Sequence, residues 1–314
     1  MIGKCSESAI NDTGETCRIF DIKRYAIHDG PGIRTTVFFK GCPLKCRWCH
    51  NPESLRPERH ILYNKDRCIG CLACVGTCPA QALTATGQGI VRSASLCTGC
   101  GSCADICPSG AMETVGRSVN VRNLLAELEK DLLFFDGSGG GVTVSGGEPL
   151  LQHRALIKLL KGCRDLGIHT AVDTSGFAPW DALEEAAALA DLFLFDLKLM
   201  DEQAHRLGTG VSNSIILANL RKLSRKGADI ILRIPLVHTM NDSMENLEAT
   251  GLFINSLHTR HRVEILPFHD IHSTKYKKFS MINTAEGLDP TTPEQTNRAM
   301  DILASFGLDV SVNG

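Results

Sequence analysis

The feature that most restricts this chain is where its cysteines fall: eleven of the fourteen lie between Cys42 and Cys107 of a 314-residue sequence. Disulfide frameworks of that density belong to secreted domains, and the polar opening stretch, which lacks an apolar core, does not read as a secretory signal. A reducing cytosol keeps thiols free, so the clustered cysteines are expected to be metal ligands. Cys5, Cys17 and Cys163 stand apart without ligand spacing and read as plain thiols or small buried hydrophobes. A hydrophobic fraction of 43% with 22% charged residues predicts a sizeable folded core. The net charge of -2 exerts no overall pull on nucleic acid or anionic lipid, and no uninterrupted apolar run suits a membrane span. The expectation is a cytoplasmic monomer that binds neither nucleic acid nor membrane.

Residues 63–116 shift abruptly to cysteine, glycine and proline and hold an internal repeat of 29 residues, CIGCLACVGTCP and CTGCGSCADICP. Each unit spaces its cysteines C-x2-C-x2-C-x3-C-P. That run holds 4Fe–4S clusters in bacterial two-cluster ferredoxins, where the fourth cysteine ligates the other cluster. Cys68, Cys71, Cys74 and Cys107 are therefore assigned to one cluster, and Cys97, Cys100, Cys103 and Cys78 to the other. Paired C-x2-C motifs also suit tetrahedral zinc, which is the competing reading.

Upstream of the repeat, GCPLKCRWCHNPES spaces Cys42, Cys46 and Cys49 as C-x3-C-x2-C. Three thiolates can hold three irons of a cube and leave the fourth open to a ligand, the condition for chemistry rather than electron storage. The alternative here is a Cys3His zinc site completed by His50.

Around the cysteine-rich insert, short β-rich runs alternate with helical stretches. Strands are expected at RTTVFFKG, GVTVSGG, HTAVDTSG, DLFLFDLK, DIILRIPLV, RVEILPFH and DVSVN, most of them followed by a helix. Six or seven parallel strands fall short of the eight of a closed barrel, which favours an open or partial barrel over a doubly wound sheet. Residues 1–62 and 117–314 would form this α/β domain and 63–116 the insert. Glycine and polar residues cluster just past the strand ends, in SGGEP, DTSG, DLK, RIP and PFH, the edge that carries chemistry in parallel α/β folds.

The cysteine loop with its aromatic Trp48, the preceding YAIHDGPGIRTTVFFKG and the following HNPES together resemble the radical S-adenosylmethionine (SAM) enzymes. Within them, the chain is similar to the activating enzymes of glycyl radical enzymes, related to pyruvate formate-lyase activase, in the longer form that carries a two-cluster ferredoxin insert. The resemblance implies a partial (β/α)6 barrel with an inserted two-cluster ferredoxin-like domain. Three 4Fe–4S clusters would be present, one of them chelated through its open iron by S-adenosylmethionine. One electron would cleave the sulfonium, and the 5′-deoxyadenosyl radical would take a hydrogen atom from a glycine of the partner, leaving methionine and 5′-deoxyadenosine.

By the same resemblance, Gly146, Gly147, Glu148 and Pro149 match the motif at the methionine amino group. Asp173, Thr174 and Asp196 match a monovalent-cation site beside the methionyl carboxylate. Lys198, Arg233 and His269 match positions that contact S-adenosylmethionine or steer its cleavage, and Asp29 one near the bound glycine loop. Trp48, Cys49, His50 and Leu197 complete the expected cofactor-facing set. Flavodoxin or ferredoxin would donate electrons, and the partner would be a lyase or dehydratase of the choline, diol, hydroxyproline, isethionate or arylacetate type. Two loops depart from the pattern: HTMND after RIPLV, with His238, and DIHSTKY after His269, with His272. Two other functions compete: a radical enzyme acting on a small molecule, and an electron carrier whose clusters all have four protein ligands.

Overall fold

In the computed structural model, which describes residues 15–269, 275–276 and 284–313, the chain opens with β1 (Thr16–Ala26), which turns back antiparallel into β2 (Arg34–Phe39). Cys5 and His272 lie outside the described residues. The insert follows as β3 (His60–Tyr63), α1 (Ala73–Thr77), a hairpin of β4 (Leu83–Thr86) and β5 (Gly89–Arg92), α2 (Ser102–Asp105) and β6 (Met112–Val115). Strands β3 and β6 pair antiparallel across its base, so the unit begins at His60, three residues before the composition shift at 63.

The chain rejoins the main sheet through β7 (Arg117–Asn120), passes α3 (Val121–Leu128) and α4 (Leu132–Ser138), and then alternates. The alternating elements are β8 (Gly141–Gly146), α5 (His153–Asp165), β9 (Thr170–Thr174), α6 (Trp180–Ala187) and β10 (Leu192–Asp196). After them come α7 (Glu202–Thr209), α8 (Ser214–Arg225), β11 (Ile230–Leu236), α9 (Met244–Asn255), β12 (Arg262–Pro267), α10 (Pro293–Ser305) and β13 (Val310–Val312).

The sheet has nine strands in the order β13-β12-β11-β10-β9-β8-β2-β1-β7. The seven from β13 to β2 are parallel, as the apolar runs predict, and β1 and β7 add an antiparallel edge. Sequence reasoning missed that edge for a physical reason. Two register shifts along β1, between Ile19 and Asp21 and between Lys23 and Ala26, break the period-2 pattern, and β7 is only four residues long. Helix α7, with few apolar positions, was also not anticipated.

The sheet curls. Strands β13 and β1 are seven spacings apart, about 34 Å if flat at ~4.8 Å each. Yet Asn313, one residue past β13, meets His28, two past β1, at 2.9 Å between Oδ1 and Nδ1. Alternation along each strand then separates two layers. Val142, Val144, Val172, Phe193, Phe195 and Leu232 point outward into the core shared with the helices. Ala171, Leu192, Leu194 and Ile231 form a small inner cluster, and their same-face neighbours toward the strand ends are Asp173, Asp196 and Arg233. The inner face is thus apolar midway along the strands and charged at their ends.

Arg34 closes the interior near the β1–β2 loop. It is fully buried, with Nε donating to Thr143 Oγ1 at 2.6 Å, Nη1 to the Pro31 carbonyl at 3.1 Å and Nη2 to that of Val142 at 2.7 Å. Burial lowers its pKa to about 10, with Asp29 and Asp191 pulling it back up, so it is charged at neutral pH. The Arg34→Met substitution strands these acceptors and should cost about 3 kcal/mol. Thermal denaturation should show a Tm lower by roughly 6–12 °C; a Tm unchanged from the parent protein would contradict this bracing role.

Candidate active site

A cavity of about 230 Å³ lies where the cysteine loop meets the carboxyl ends of β8 to β12, lined by residues from every one of those strand ends. The loop after β2 is held by backbone hydrogen bonds: Gly41 N–H donates to Ser54 O at 2.7 Å, Lys45 N–H to Thr209 O at 2.7 Å and Arg47 N–H to Gly208 O at 3.0 Å. Gly208 and Thr209 lie in the last turn of α7, where carbonyls lack intrahelical partners, so the unanticipated helix is what anchors the loop. Trp48 packs with Leu199, Val237 and Phe268, and the His50 ring stacks on Phe268 with centroids 5.7 Å apart.

Cys42, Cys46 and Cys49 all line this cavity. Burial pushes all three thiols upward, Cys49 to about 12, so metal binding there must displace protons.

The glycines after β8 clamp the adjoining strand. Gly146 has φ +115°, and a Cβ there or at Gly147 would run into the backbone of Phe39 or Gly41. Gly147 N–H donates to Phe39 O at 2.9 Å and Glu148 N–H to Gly41 O at 2.8 Å. The fully buried Glu148 carboxylate accepts from Thr174 Oγ1 at 2.7 Å, Ser175 Oγ at 2.6 Å, Ser175 N–H at 3.0 Å and Leu150 N–H at 3.2 Å. Burial raises its pKa, and these donors draw it back.

Two acids and two bases meet in the cleft. Lys198 Nζ donates to Asp196 Oδ2 at 2.6 Å, and Arg233 Nη1 lies 3.5 Å from Asp173 Oδ1, whose other oxygen accepts from Ser145 Oγ at 2.6 Å. Burial lifts Asp173 to about 6 despite Arg233, with Asp196 adding to the lift. Burial opposes the charge of Lys198, but Asp196, Cys46 and Asp173 outweigh it and its pKa rises. The Arg233 Nε and Nη1 atoms are buried with no hydrogen-bond partner among the described residues. Such a pattern suits a ligand carrying both an ammonium and a carboxylate.

The structure brings Trp48, Cys49, His50, Gly146, Gly147, Asp173, Thr174, Asp196, Lys198 and Arg233 to this one cavity. Five expected residues do not line it. Leu197 packs into the core outside the sheet, and Pro149 is buried in the turn that Glu148 caps. Glu148 faces the β9 loop, where it positions Thr174 and Ser175 rather than presenting its carboxylate to a ligand. Asp29 sits deeper, accepting from Thr36 Oγ1 at 2.6 Å, close enough to act on the charges of Arg233 and Asp173. His269 is exposed just past β12. Asp173, Thr174 and Asp196 all line the cavity, and each is also engaged by a neighbour, Thr174 by Glu148, Asp173 by Ser145 and Arg233, and Asp196 by Lys198. Ser145 and Ser175 were missed, although each adjoins a singled-out motif, Ser145 on the inward face of β8 and Ser175 after Thr174.

In the insert, Cys68, Cys71, Cys74 and Cys107 line one hollow and Cys78, Cys97, Cys100 and Cys103 a second. These are the two crossed sets expected from the repeat. The last cysteine of each run accepts a backbone N–H, Cys78 from Ala82 at 3.3 Å and Cys107 from Met112 at 3.4 Å. Among the described residues, no three His, Cys, Asp or Glu side chains converge on a point that would hold a single metal ion. No helix among them is long and apolar enough to cross a membrane.

Comparison with known proteins agrees with this arrangement. Residues 89–249 match the radical SAM superfamily, residues 60–108 a 4Fe-4S dicluster domain and residues 28–76 a 4Fe-4S single cluster domain. The chain is 42% identical over 299 residues to the trans-4-hydroxy-L-proline dehydratase activating enzyme of Clostridioides difficile, covering 94% of this chain and 99% of the relative. It is 43% identical over 265 residues to the (2S)-3-sulfopropanediol dehydratase activating enzyme of Klebsiella oxytoca, covering 82% and 84%. Streptococcus suis SuiB bound to precursor peptide SuiA shares the fold, with a TM-score of 0.52 at 14% identity over 87% of this chain and 46% of that one. The chain belongs to the radical SAM superfamily, and within it to the activating enzymes of glycyl radical enzymes.

Proposed function

We propose that this enzyme installs a glycyl radical on a partner lyase or dehydratase, using S-adenosylmethionine and three 4Fe–4S clusters. The observation that carries the reading is the meeting of three cysteine thiols with two acid–base pairs in one strand-end cavity. The residues present fit both groups. Cys42, Cys46 and Cys49 would hold a cluster with one iron left for a ligand. The buried Arg233 donors that make no hydrogen bond, together with Lys198, would take the carboxylate of the methionine moiety, and Asp173 with Asp196 would face its ammonium.

When bound, the cluster supplies the electron that cleaves S-adenosylmethionine, and the 5′-deoxyadenosyl radical so released takes a hydrogen atom from the partner's glycine. The chain's own part is positional and electrostatic. Trp48, Val237 and Phe268 give the cavity an apolar wall that limits water. Lys198 holds positive charge near Cys46 and Cys49, where an added electron is stabilised. The two cysteine sets of the insert are proposed to hold the remaining clusters, as a two-cluster ferredoxin-like domain that passes electrons from flavodoxin or ferredoxin to the Cys42, Cys46 and Cys49 site. The two relatives named above are both activators of dehydratases, at nearly equal identity, which supports a lyase or dehydratase partner.

The direct test is electron paramagnetic resonance of reduced enzyme mixed with S-adenosylmethionine and a panel of lyase and dehydratase partners. A glycyl doublet on one partner, matched by 5′-deoxyadenosine, is expected; 5′-deoxyadenosine that forms only with an added metabolite, with no protein radical, would favour small-molecule chemistry. Arg233→Met should weaken S-adenosylmethionine binding at least about tenfold, from loss of a charge-assisted contact. Titration of the reduced-cluster spectrum measures this, and an unchanged Kd would remove Arg233 from the ligand's contacts. Replacing Cys71 and Cys100 together should slow activation driven by flavodoxin while leaving dithionite-driven cleavage intact. Equal flavodoxin-driven rates would rule out the insert as the conduit.

A further inference from the structure

A second cavity, of about 260 Å³, shares no lining residue with the strand-end site and is lined by Arg18, Lys40, Arg59, Gly116, Arg117 and Ser118. Four of the six are cations and none is an acid, on a chain whose net charge is -2. Their known hydrogen bonds do not neutralise them. Lys40 has no exposed surface, and its Nζ donates to the Glu53 carbonyl at 2.8 Å and meets His60 Nδ1 at 3.1 Å. His60 is neutral in this setting, since burial and then Lys40 push its pKa down to about 4. Arg18 Nη1 donates to Pro57 O at 3.4 Å and Arg59 Nη2 to Cys100 O at 2.9 Å. Arg59 Nε is buried with no hydrogen-bond partner among the described residues. Burial lowers the pKa of Lys40 to about 8, with Glu58 and Glu53 pulling it back up, but neither acid lines the cavity, and Glu53 pairs with Lys275 at 2.8 Å. A buried ammonium beside three guanidinium groups, all bonded only to neutral acceptors where bonds are seen, calls for an anion of more than one charge.

We propose that this cavity is an oxyanion site that takes a phosphate group, either as free phosphate or as the phosphomonoester of a small metabolite. The planar donor forks of the arginines match phosphate oxygens, the buried Lys40 adds a point charge and Ser118 a hydroxyl. The lining joins two parts of the fold. Arg18 lies on β1, Lys40 just past β2, and Arg117 and Ser118 on β7, whereas Arg59 and Gly116 flank the β3 and β6 strands through which the insert leaves and rejoins the sheet. Arg59 also reaches the second cysteine set through the Cys100 carbonyl, and Gly101 makes room for its guanidinium, which an added Cβ would strike. A bound phosphate would therefore bridge the insert to the sheet beside that cysteine set.

The test is calorimetric titration of the iron-loaded protein, in chloride buffer, with inorganic phosphate and separately with glycerol phosphate. One saturable site is expected, weakened at least tenfold by Arg117→Gln, which changes an exposed side chain, and likewise by Arg59→Gln. Dithionite-driven 5′-deoxyadenosine formation by Arg117→Gln should match the parent protein, since the two cavities are separate. Tighter binding of glycerol phosphate identifies a metabolite as the source, and tighter binding of inorganic phosphate identifies the free ion. No saturable binding of either probe, or binding that both substitutions leave intact, overturns the proposal.

Discussion

Everything in the active cavity depends on the backbone clamp between the ends of β2 and β8. These strands lie about a hundred residues apart in sequence, with the whole insert between them, yet they pair in parallel register from Arg34 with Gly141 to Phe39 with Gly146. Two N–H groups just beyond, of Gly147 and Glu148, then bind the carbonyls of Phe39 and Gly41. Only glycine permits so close an approach at 146 and 147. The clamp sets where the chain leaves β2, and so where Cys42 begins the metal-binding loop. The buried Glu148 carries the constraint one strand further by gripping Thr174 and Ser175.

Electrostatics decides what such a site can hold. Buried acids and bases at the strand ends would each be costly alone, and their pairing as Lys198 with Asp196 and Arg233 with Asp173 lets charge persist inside the curl. The pairs differ in completeness. Lys198 is engaged at hydrogen-bond distance, whereas Arg233, 3.5 Å from Asp173, has two buried donors that make no hydrogen bond among the described residues. A carboxylate ligand would remove that imbalance, which is why Arg233 stands at the centre of the binding proposal. The basic cavity follows the same logic, with the imbalance larger because no acid lines it.

Much of this was legible in the sequence because it rests on local rules. The crossed cysteine sets follow from spacing alone, and they reappear as the linings of two separate hollows. The parallel strands follow from short apolar runs that alternate with helical stretches. What stayed hidden depends on tertiary context. The bulged β1 breaks its own periodicity, and α7 reveals its purpose only through the carbonyls it offers to Lys45 and Arg47. Motif position likewise could not say which way a side chain turns. Glu148, Pro149 and Leu197 stand in the right motifs but face away from the cavity, while Ser145 and Ser175 beside them line it.

The central claim is that the Cys42, Cys46 and Cys49 loop makes this cavity a site of reductive S-adenosylmethionine cleavage. The most direct measurement is 5′-deoxyadenosine formed from S-adenosylmethionine and dithionite by anaerobically reconstituted protein, compared with its Cys46→Ala variant. Product from the parent protein, and none from the variant while both insert clusters remain loaded, is what the account predicts. No product from fully iron-loaded parent protein, or equal product from both, would contradict it.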